Sequence, residues 1–452
     1  MKNLILYSFI ILGLASCDSY LDNELPSDQV TFEEGIQTEE DLQEMINSIY
    51  DVVANSFTGR AQKFAEALGE DVSMVGNTGT LLQVYNRASD FFNGEVGGIY
   101  REPYFVIFRA NTLLNEIENV GVTGATRDRM IGEAKAMRAL SHFELVKLFG
   151  QPYGFTPDNS HLGIVLRESA VADPGPRNTV GEVYESVLND LLEARELLPV
   201  ENGIYLDKSD AAALLARVYF LQNDFVNAER YATLAIEESG LELGMLNGRY
   251  VQDAVPEEAL FYIISTGPED NRSGDWRGVL ASDFGIPALR ASEEIAFLMT
   301  QDPNDLRRNN IDTLVDGGTE VYAFNKYNTL YFNSTLLSLT ELYFISAESL
   351  IEQESDFQRA VDYINAIKGR AGAAAIPNTE NKNILLGEVR REKRKELAGE
   401  GINLFDLKRR GAKGENIIIR GAPWNCPGMV LQFPASEITV EGFELNEEGG
   451  CN

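Results

Sequence analysis

Residues 210–238 read DAAALLARVYFLQNDFVNAERYATLAIEE, and the prediction of the fold starts from their pattern. Apolar and small residues recur in it at spacings of three and four, which is typical of amphipathic helices. The small side chains, such as Ala216 and Ala228, allow two helix backbones to approach closely. The stretch therefore predicts two antiparallel helices.

The same stretch matches the pattern of a tetratricopeptide repeat, with Ala216, Tyr219, Phe225, Ala228 and Ala235 at the expected offsets. One such copy alone is also explained by a generic helical hairpin.

Two further copies favour a repeat scaffold. One begins at Glu341, with Ala347, Phe357 and Ala360 at the matching places and a turn one residue longer. The other pairs residues 133–149 with 180–198 across an inserted loop. We predict a mostly α fold: a tetratricopeptide-like scaffold of helical hairpins with an irregular, loop-rich ligand-binding region.

Residues 39–452 are predicted to form a single domain. Its loop-rich ligand region covers about 239–337, where Gly, Asn, Asp, Pro and aromatic residues dominate, and its C-terminal tail covers 411–452. The predicted helical segments are about 39–57, 98–149, 180–238, 338–370 and 385–398.

The N-terminus is predicted to be a lipoprotein signal peptide, residues 1–16. Lys2 precedes a short apolar run, and Leu14-Ala15-Ser16-Cys17 resembles a bacterial lipobox whose cysteine is acylated. Residues 17–38 then form an acidic tether and N-terminal segment. An ordinary secretory signal cleaved near the same place is the alternative.

Composition excludes several classes of function. The 452 residues include 38 Lys and Arg against 70 Asp and Glu, giving a net charge of -32, so we expect no nucleic-acid partner. His142 and His161 are the two histidines, which argues against a histidine-built zinc site. The sequence contains no GxSxG, HExxH or P-loop motif, and we expect neither enzyme activity nor a cofactor.

The C-terminal part carries two further predictions. Helix 385–398 interleaves acidic and basic residues at a spacing that predicts ion pairs on a solvated helix face. Beyond Cys17, Cys426 and Cys451 remain, and in an oxidising compartment such a pair indicates a disulfide that closes the tail. Two free thiols are the alternative.

Taken together, the segments resemble the SusD/RagB family of nutrient-binding outer-membrane lipoproteins. The resemblance covers essentially the whole mature chain, although each short motif is weak by itself. One departure is visible: before Glu341-Leu342-Tyr343 the family usually has an arginine, whereas Ser338 stands there in this chain. The similar segments are residues 133–152, 179–199, 210–238, 365–372, 389–409 and 433–438.

The resemblance implies a surface-exposed, lipid-anchored protein of the outer membrane that binds and does not catalyse. Such a protein captures an oligosaccharide, or alternatively a peptide, and delivers it to a SusC-like TonB-dependent transporter. Contact with the membrane would then be through the lipid anchor only. The rival interpretations are a surface glycosidase or peptidase, and a structural or adhesin-type protein without a small ligand.

A glycan site needs aromatic rings for sugar faces and polar side chains for hydroxyl groups. One loop supplies both around Trp276, and a second segment lies where the family often draws ligand contacts. Trp424, beside Cys426, is expected to pack the tail instead. The candidate ligand-binding residues are Asn271, Asp275, Trp276, Arg277, Asn77, Tyr85, Phe91 and Phe92.

Overall fold

The computed structural model describes residues 35–74, 79–171, 174–377 and 379–451. The predicted signal peptide, Cys17 and most of the tether therefore lie outside the described residues, as does Asn77.

The N-terminal half of the described chain is helical. Its first helix begins with a capping box, in which the Thr38 hydroxyl accepts from the Asp41 backbone N–H and the Asp41 carboxylate accepts from the Thr38 backbone N–H. The elements are α1 (Glu39–Phe57), α2 (Arg60–Leu68), β1 (Val72–Met74), α3 (Gly79–Tyr85), α4 (Gly94–Val120), α5 (Gly124–Phe149), α6 (Val180–Leu197), α7 (Lys208–Leu221) and α8 (Phe225–Ser239).

The loop-rich segment carries short strands and helices. They are β2 (Ala259–Ile263), α9 (Gly274–Leu280), β3 (Leu289–Ala291), α10 (Glu293–Thr300), β4 (Ile311–Asp316), β5 (Thr319–Phe324) and β6 (Ser334–Ser338). A four-stranded sheet has the order β1-β3-β5-β4, and β2 pairs with β6, all antiparallel. The sheet therefore joins the loop-rich segment to β1 of the helical half.

The C-terminal elements return to helices. They are α11 (Leu339–Gln353), α12 (Phe357–Arg370), α13 (Lys382–Glu396), α14 (Asn403–Ala412), β7 (Ile418–Ile419) and β8 (Ala422–Pro423). The mostly α fold class is thus confirmed. Helices pack together at all three places where the sequence suggests repeat copies, α5 with α6, α7 with α8 and α11 with α12. Their match to the tetratricopeptide pattern stays a prediction.

The prediction that α13 displays its ion pairs on a solvated face is wrong. Glu392, Lys393, Lys395 and Glu396 of this helix are buried, and each has a partner from another segment, although Lys395 and Glu392 also pair with each other. The Glu396 carboxylate, for example, pairs with the guanidinium of Arg307, which is fully buried. The regular spacing of charges along α13 therefore serves tertiary packing.

Ser338, the departure from the family pattern, caps α11. Its hydroxyl accepts from the Glu341 backbone N–H at 3.3 Å. The Glu341 carboxylate pairs instead with Arg217 of α7, whose Nη2 lies 2.6 Å from Oε2. Another helix thus supplies a guanidinium to Glu341.

The C-terminal tail is held covalently and by packing. Cys426 and Cys451 form a disulfide, with an S–S distance of 2.08 Å. Phe433 is fully buried against Tyr100 of α4 and Phe149 of α5. Trp424 packs closely against Gly411 of α14, as expected of a residue that fixes the tail.

Lys408 of α14 gives a testable pH dependence. Its buried amine donates to the Met429 carbonyl oxygen at 3.1 Å, and burial lowers the pKa of Lys408 to about 7. Between pH 7 and the ordinary lysine pKa of 10.5, the unfolded chain binds the proton that the folded chain has lost. The free energy of unfolding contributed by this group therefore rises with pH across that interval.

We expect Lys408→Met to raise the free energy of unfolding at pH 6–7 and to make its rise towards pH 10 smaller, by the part that Lys408 contributes. Urea unfolding at a series of pH values measures both effects. Lys208→Met, on a less buried lysine, is the matched control and should preserve the rise. An unchanged pH profile in Lys408→Met would contradict this account.

Candidate functional site

Trp276, the principal candidate for a ligand contact, lies inside the protein. It is only 4% exposed, its indole Nε1 donates to the Gly399 carbonyl oxygen at 3.2 Å, and its ring lies nearly parallel to that of Tyr327. The expectation of an aromatic platform at the surface is therefore not supported for this residue. Its indole anchors α9 to the loop that follows α13.

The neighbours of Trp276 have different roles. Arg277 donates from Nε to the Thr329 carbonyl oxygen, pairs with Asp283 and lies 4.2 Å from the ring centroid of Phe284. Phe284 is 70% exposed, so an aromatic ring is presented to solvent beside this loop.

Asn271 shapes the same loop. Its side-chain oxygen accepts from the backbone N–H and the hydroxyl of Ser273, and its Nδ2 donates to the Leu330 carbonyl oxygen at 3.3 Å. These contacts are the local hydrogen bonds of an Asx turn. In this structure Asn271 thus holds the backbone that leads into α9.

The second predicted segment presents another exposed ring. Phe91 and Phe92 contact each other with ring centroids 4.4 Å apart, and Phe92 is 78% exposed. The Tyr85 ring lies under the Arg420 guanidinium at 4.0 Å, so one of its faces is occupied. Of the three aromatic candidates here, Phe92 is the most accessible.

Lys63, which the sequence interpretation missed, joins the segment around Trp276 to the segment that follows Phe92. Lys63 of α2 places its Nζ 3.0 Å from Asp275 Oδ1 and 3.4 Å from Glu95 Oε2. The Thr80 hydroxyl donates to the other Glu95 oxygen, Oε1, at 2.6 Å. We call these four residues, Lys63, Thr80, Glu95 and Asp275, the Lys63 junction.

The junction joins the two segments that carry the exposed rings. Phe92 lies three residues before Glu95, and Phe284 packs against Arg277, two residues after Asp275. The Glu95 and Asp275 carboxylates at the junction are themselves half-exposed, at 46% and 37%. Such a surface combines apolar faces with hydrogen-bond acceptors.

The protein behind the junction contains buried carboxyl groups. Burial, reinforced by the Asp71 carboxylate, raises the pKa of Glu66 to about 8. Burial also raises the pKa of Asp71, against the pull of Arg394. The Glu66 carboxyl accepts from the Gly401 backbone N–H at 2.7 Å, so it links α2 to the loop after α13. These groups support the site from the interior and do not reach its surface.

Sequence signals for the missed residues are uneven. Phe284 stands between Asp283 and Gly285 in a polar loop, which is an indication of an exposed ring. Lys63 and Glu95 carry no such signal, because their meeting with Asp275 depends on contacts more than 150 residues apart.

Within the described ranges, no group of three or more His, Cys, Asp or Glu side chains is arranged to hold a metal ion. Asp305 caps a short 3-10 helix, Leu306–Asn310. None of the helices that the structure describes is long and apolar enough to cross a membrane.

Comparison with known proteins gives two family matches. Residues 19–220 match the model of a family described as starch-binding and associating with the outer membrane, and residues 305–423 match the SusD family. Among curated relatives, SusD-like protein P2 of Formosa agariphila is 26% identical over 473 aligned positions, covering 90% of each chain. A SusD-like protein of Bacteroides ovatus is 29% identical, but over 33% of this chain and 28% of its own.

Solved structures agree with these matches. A SusD superfamily protein of Bacteroides vulgatus superimposes with a TM-score of 0.82 at 25% identity, over 91% of this chain and 99% of its own. A laminarin-binding SusD-like protein has a TM-score of 0.70 at 20% identity, over 91% and 99% of the two chains. With the two family matches covering more than two thirds of its length, the chain belongs to the SusD/RagB family.

Proposed function

We propose that the protein captures an oligosaccharide at the cell surface and delivers it to a SusC-like TonB-dependent transporter of the outer membrane. The observation that carries the binding step is the pair of exposed rings, Phe92 and Phe284, on the two segments that meet at the Lys63 junction. Proteins of this family bind and do not catalyse, so the ligand leaves the site unchanged.

The chemistry of this surface favours a carbohydrate. Sugar rings present apolar C–H faces that pack on aromatic rings, while their hydroxyl groups donate to carboxylates such as those of Glu95 and Asp275. The starch-binding description of one matched family and the laminarin-binding neighbour support the same ligand class. A peptide is the alternative ligand, and the glycan and peptide array described below distinguishes the two ligand classes.

Anchoring and delivery rest on other features. The lipobox-like cysteine, Cys17, precedes α1 by about twenty residues, a length that would let a tethered domain stand clear of a lipid surface. Family descriptions that mention the outer membrane support a location there. The SusC-like transporter partner follows from the family resemblance, and the lipid anchor would be the sole contact with the membrane.

The ligand site can be tested by removing the exposed rings. We expect the double variant Phe92→Ala/Phe284→Ala to bind its glycan more weakly by about 1–3 kcal/mol, because stacking area is lost without disturbing the core. Isothermal titration with laminarin, followed by a glycan and peptide array, measures the loss and identifies the ligand class.

Phe297→Ala is the matched control, since Phe297 on α10 is 67% exposed but lies away from the junction in sequence and contacts. It should bind as the parent does. Full affinity in the double variant would remove both rings from the site. Binding of a peptide on the array would change the ligand class. If the parent protein binds none of the probes, the adhesin alternative is favoured. If it cleaves a bound glycan, the glycosidase alternative is favoured.

The anchor has a separate test. When the protein is expressed in a bacterium that acylates lipobox cysteines, we expect the Cys17→Ala variant in the soluble fraction and the parent in the membrane fraction, because the variant lacks the acylated residue. Fractionation followed by immunoblotting measures this change. Ser19→Ala is the control and should remain with the membrane. Retention of Cys17→Ala in the membrane fraction would show that the lipobox interpretation is wrong.

A further inference from the structure

The helices α2 and α9 meet at the surface and are held a second time in the interior. At the surface, Lys63 Nζ lies 3.0 Å from Asp275 Oδ1. In the interior, Trp276, the residue after Asp275, donates from its indole Nε1 to the Gly399 carbonyl oxygen at 3.2 Å. The loop that follows α13 therefore fixes the position of α9.

The same loop also fixes α2. The Gly401 backbone N–H donates to Oε1 of Glu66, three residues after Lys63, at 2.7 Å. The two backbones approach closely here, because a Cβ atom on Gly401 would lie 2.8 Å from the Cα atom of Gln62. The contacts of Lys63, Trp276 and Glu66 thus close a ring that runs from α2 through α9 and the loop back to α2. A shift of Glu66 away from the loop would move α2 relative to α9.

The surroundings of the Glu66 carboxyl favour its neutral form. Glu66 is only 3% exposed and has no ion-pair partner in the part of the chain that the structure describes. Its acidic neighbour Asp71 differs, because Asp71 Oδ1 accepts from Arg394 Nε at 2.6 Å. A buried carboxylate without a cation is strongly disfavoured, whereas the neutral acid can accept from the Gly401 N–H without that cost. Of these two acids, Glu66 is therefore the one that keeps its proton.

The groups around Glu66 would leave a charge on it uncompensated. Facing it are one cation, Lys326, and three groups that are neutral or acidic, Asp71, Tyr327 and Glu400. Lys326 is already paired with Glu400, at 2.9 Å. Three further helices, α5, α9 and α14, pack against α2, and their acids Glu144, Asp275 and Asp406 are each paired with a lysine. Burial, followed by the Asp71 carboxylate, accordingly raises the pKa of Glu66 to about 8.

We propose that Glu66 is a positioning residue of the glycan surface, and that its protonation state sets how firmly the Lys63 junction is held. The neutral acid keeps α2 against the loop after α13. Ionisation loosens this contact and, through the ring of contacts, the pair of Lys63 and Asp275. This regulation rests on the proposed function, since it acts on the same site. Glycan affinity is therefore expected to fall as the pH rises through about 8.

The first measurement is the affinity for laminarin, an uncharged glucan, at a series of pH values. In the parent, the dissociation constant should rise about tenfold between about pH 7 and 9.5, because the fraction of molecules with a neutral Glu66 falls. Glu66→Gln cannot ionise, and its amide oxygen can still accept from Gly401, so its affinity should stay constant over this interval. Glu70→Gln, at an acid that pairs with Arg394, is the matched control and should keep the rise of the parent.

Trp276 gives a second measurement that needs no ligand, because the same loop holds it and it is one of only two tryptophans. In a Trp424→Phe background, its fluorescence should show a transition with a midpoint near pH 8, and Glu66→Gln should remove this transition. If Glu66→Gln does not fold, the two profiles of the parent decide, because the proposal requires their midpoints to coincide.

A laminarin affinity that does not change with pH in the parent, or a fall that persists in Glu66→Gln, would overturn the proposal. Where the array identifies another uncharged glycan, that glycan replaces laminarin. Absence of glycan binding at every pH would instead overturn glycan capture, and the Trp276 transition would then show whether Glu66 sets the position of α9. Failure of the proton effect and failure of glycan capture are therefore distinguishable.

Discussion

The attachment of the loop-rich segment to the helical scaffold depends on the ion pairs of one buried guanidinium group, that of Arg307. It reaches Asp305, Glu392 and Glu396 at once, and none of its side chain is exposed. Removing one partner from such a buried group typically costs about 3–5 kcal/mol, because the charge left behind has no compensation. Since Arg307 belongs to the loop-rich segment and both glutamates belong to α13, the network fixes the loops on the helices.

A second tie repeats the arrangement. Arg370 of α12 pairs with Glu258, just before β2, and with Glu396 of α13. The loop-rich segment is therefore held at its start and at its middle by charges from the helical scaffold. This explains how a region with short strands and helices can hold α9 and the Phe284 loop in fixed positions beside α2.

The helices could be predicted from the sequence because their signals are local. Thr38 and Thr179 form capping boxes, and apolar spacing marks α7 and α8. The charges of α13 are the opposite case: their spacing is that of a solvated helix, whereas the partners that bury them lie far away in the chain. Trp276 has polar neighbours in sequence, yet Gly399 and Tyr327 enclose it, and no local pattern could have shown that.

The covalent closure of the tail has a consequence for a protein exposed to extracellular proteases. A single cut anywhere between Cys426 and Cys451 leaves both pieces joined through the disulfide. Within this loop, Phe433 is fully buried against Tyr100 of α4 and Phe149 of α5, so the tail is held by packing as well as by the disulfide. A protease cut within this loop therefore does not release the C-terminal segment from the protein.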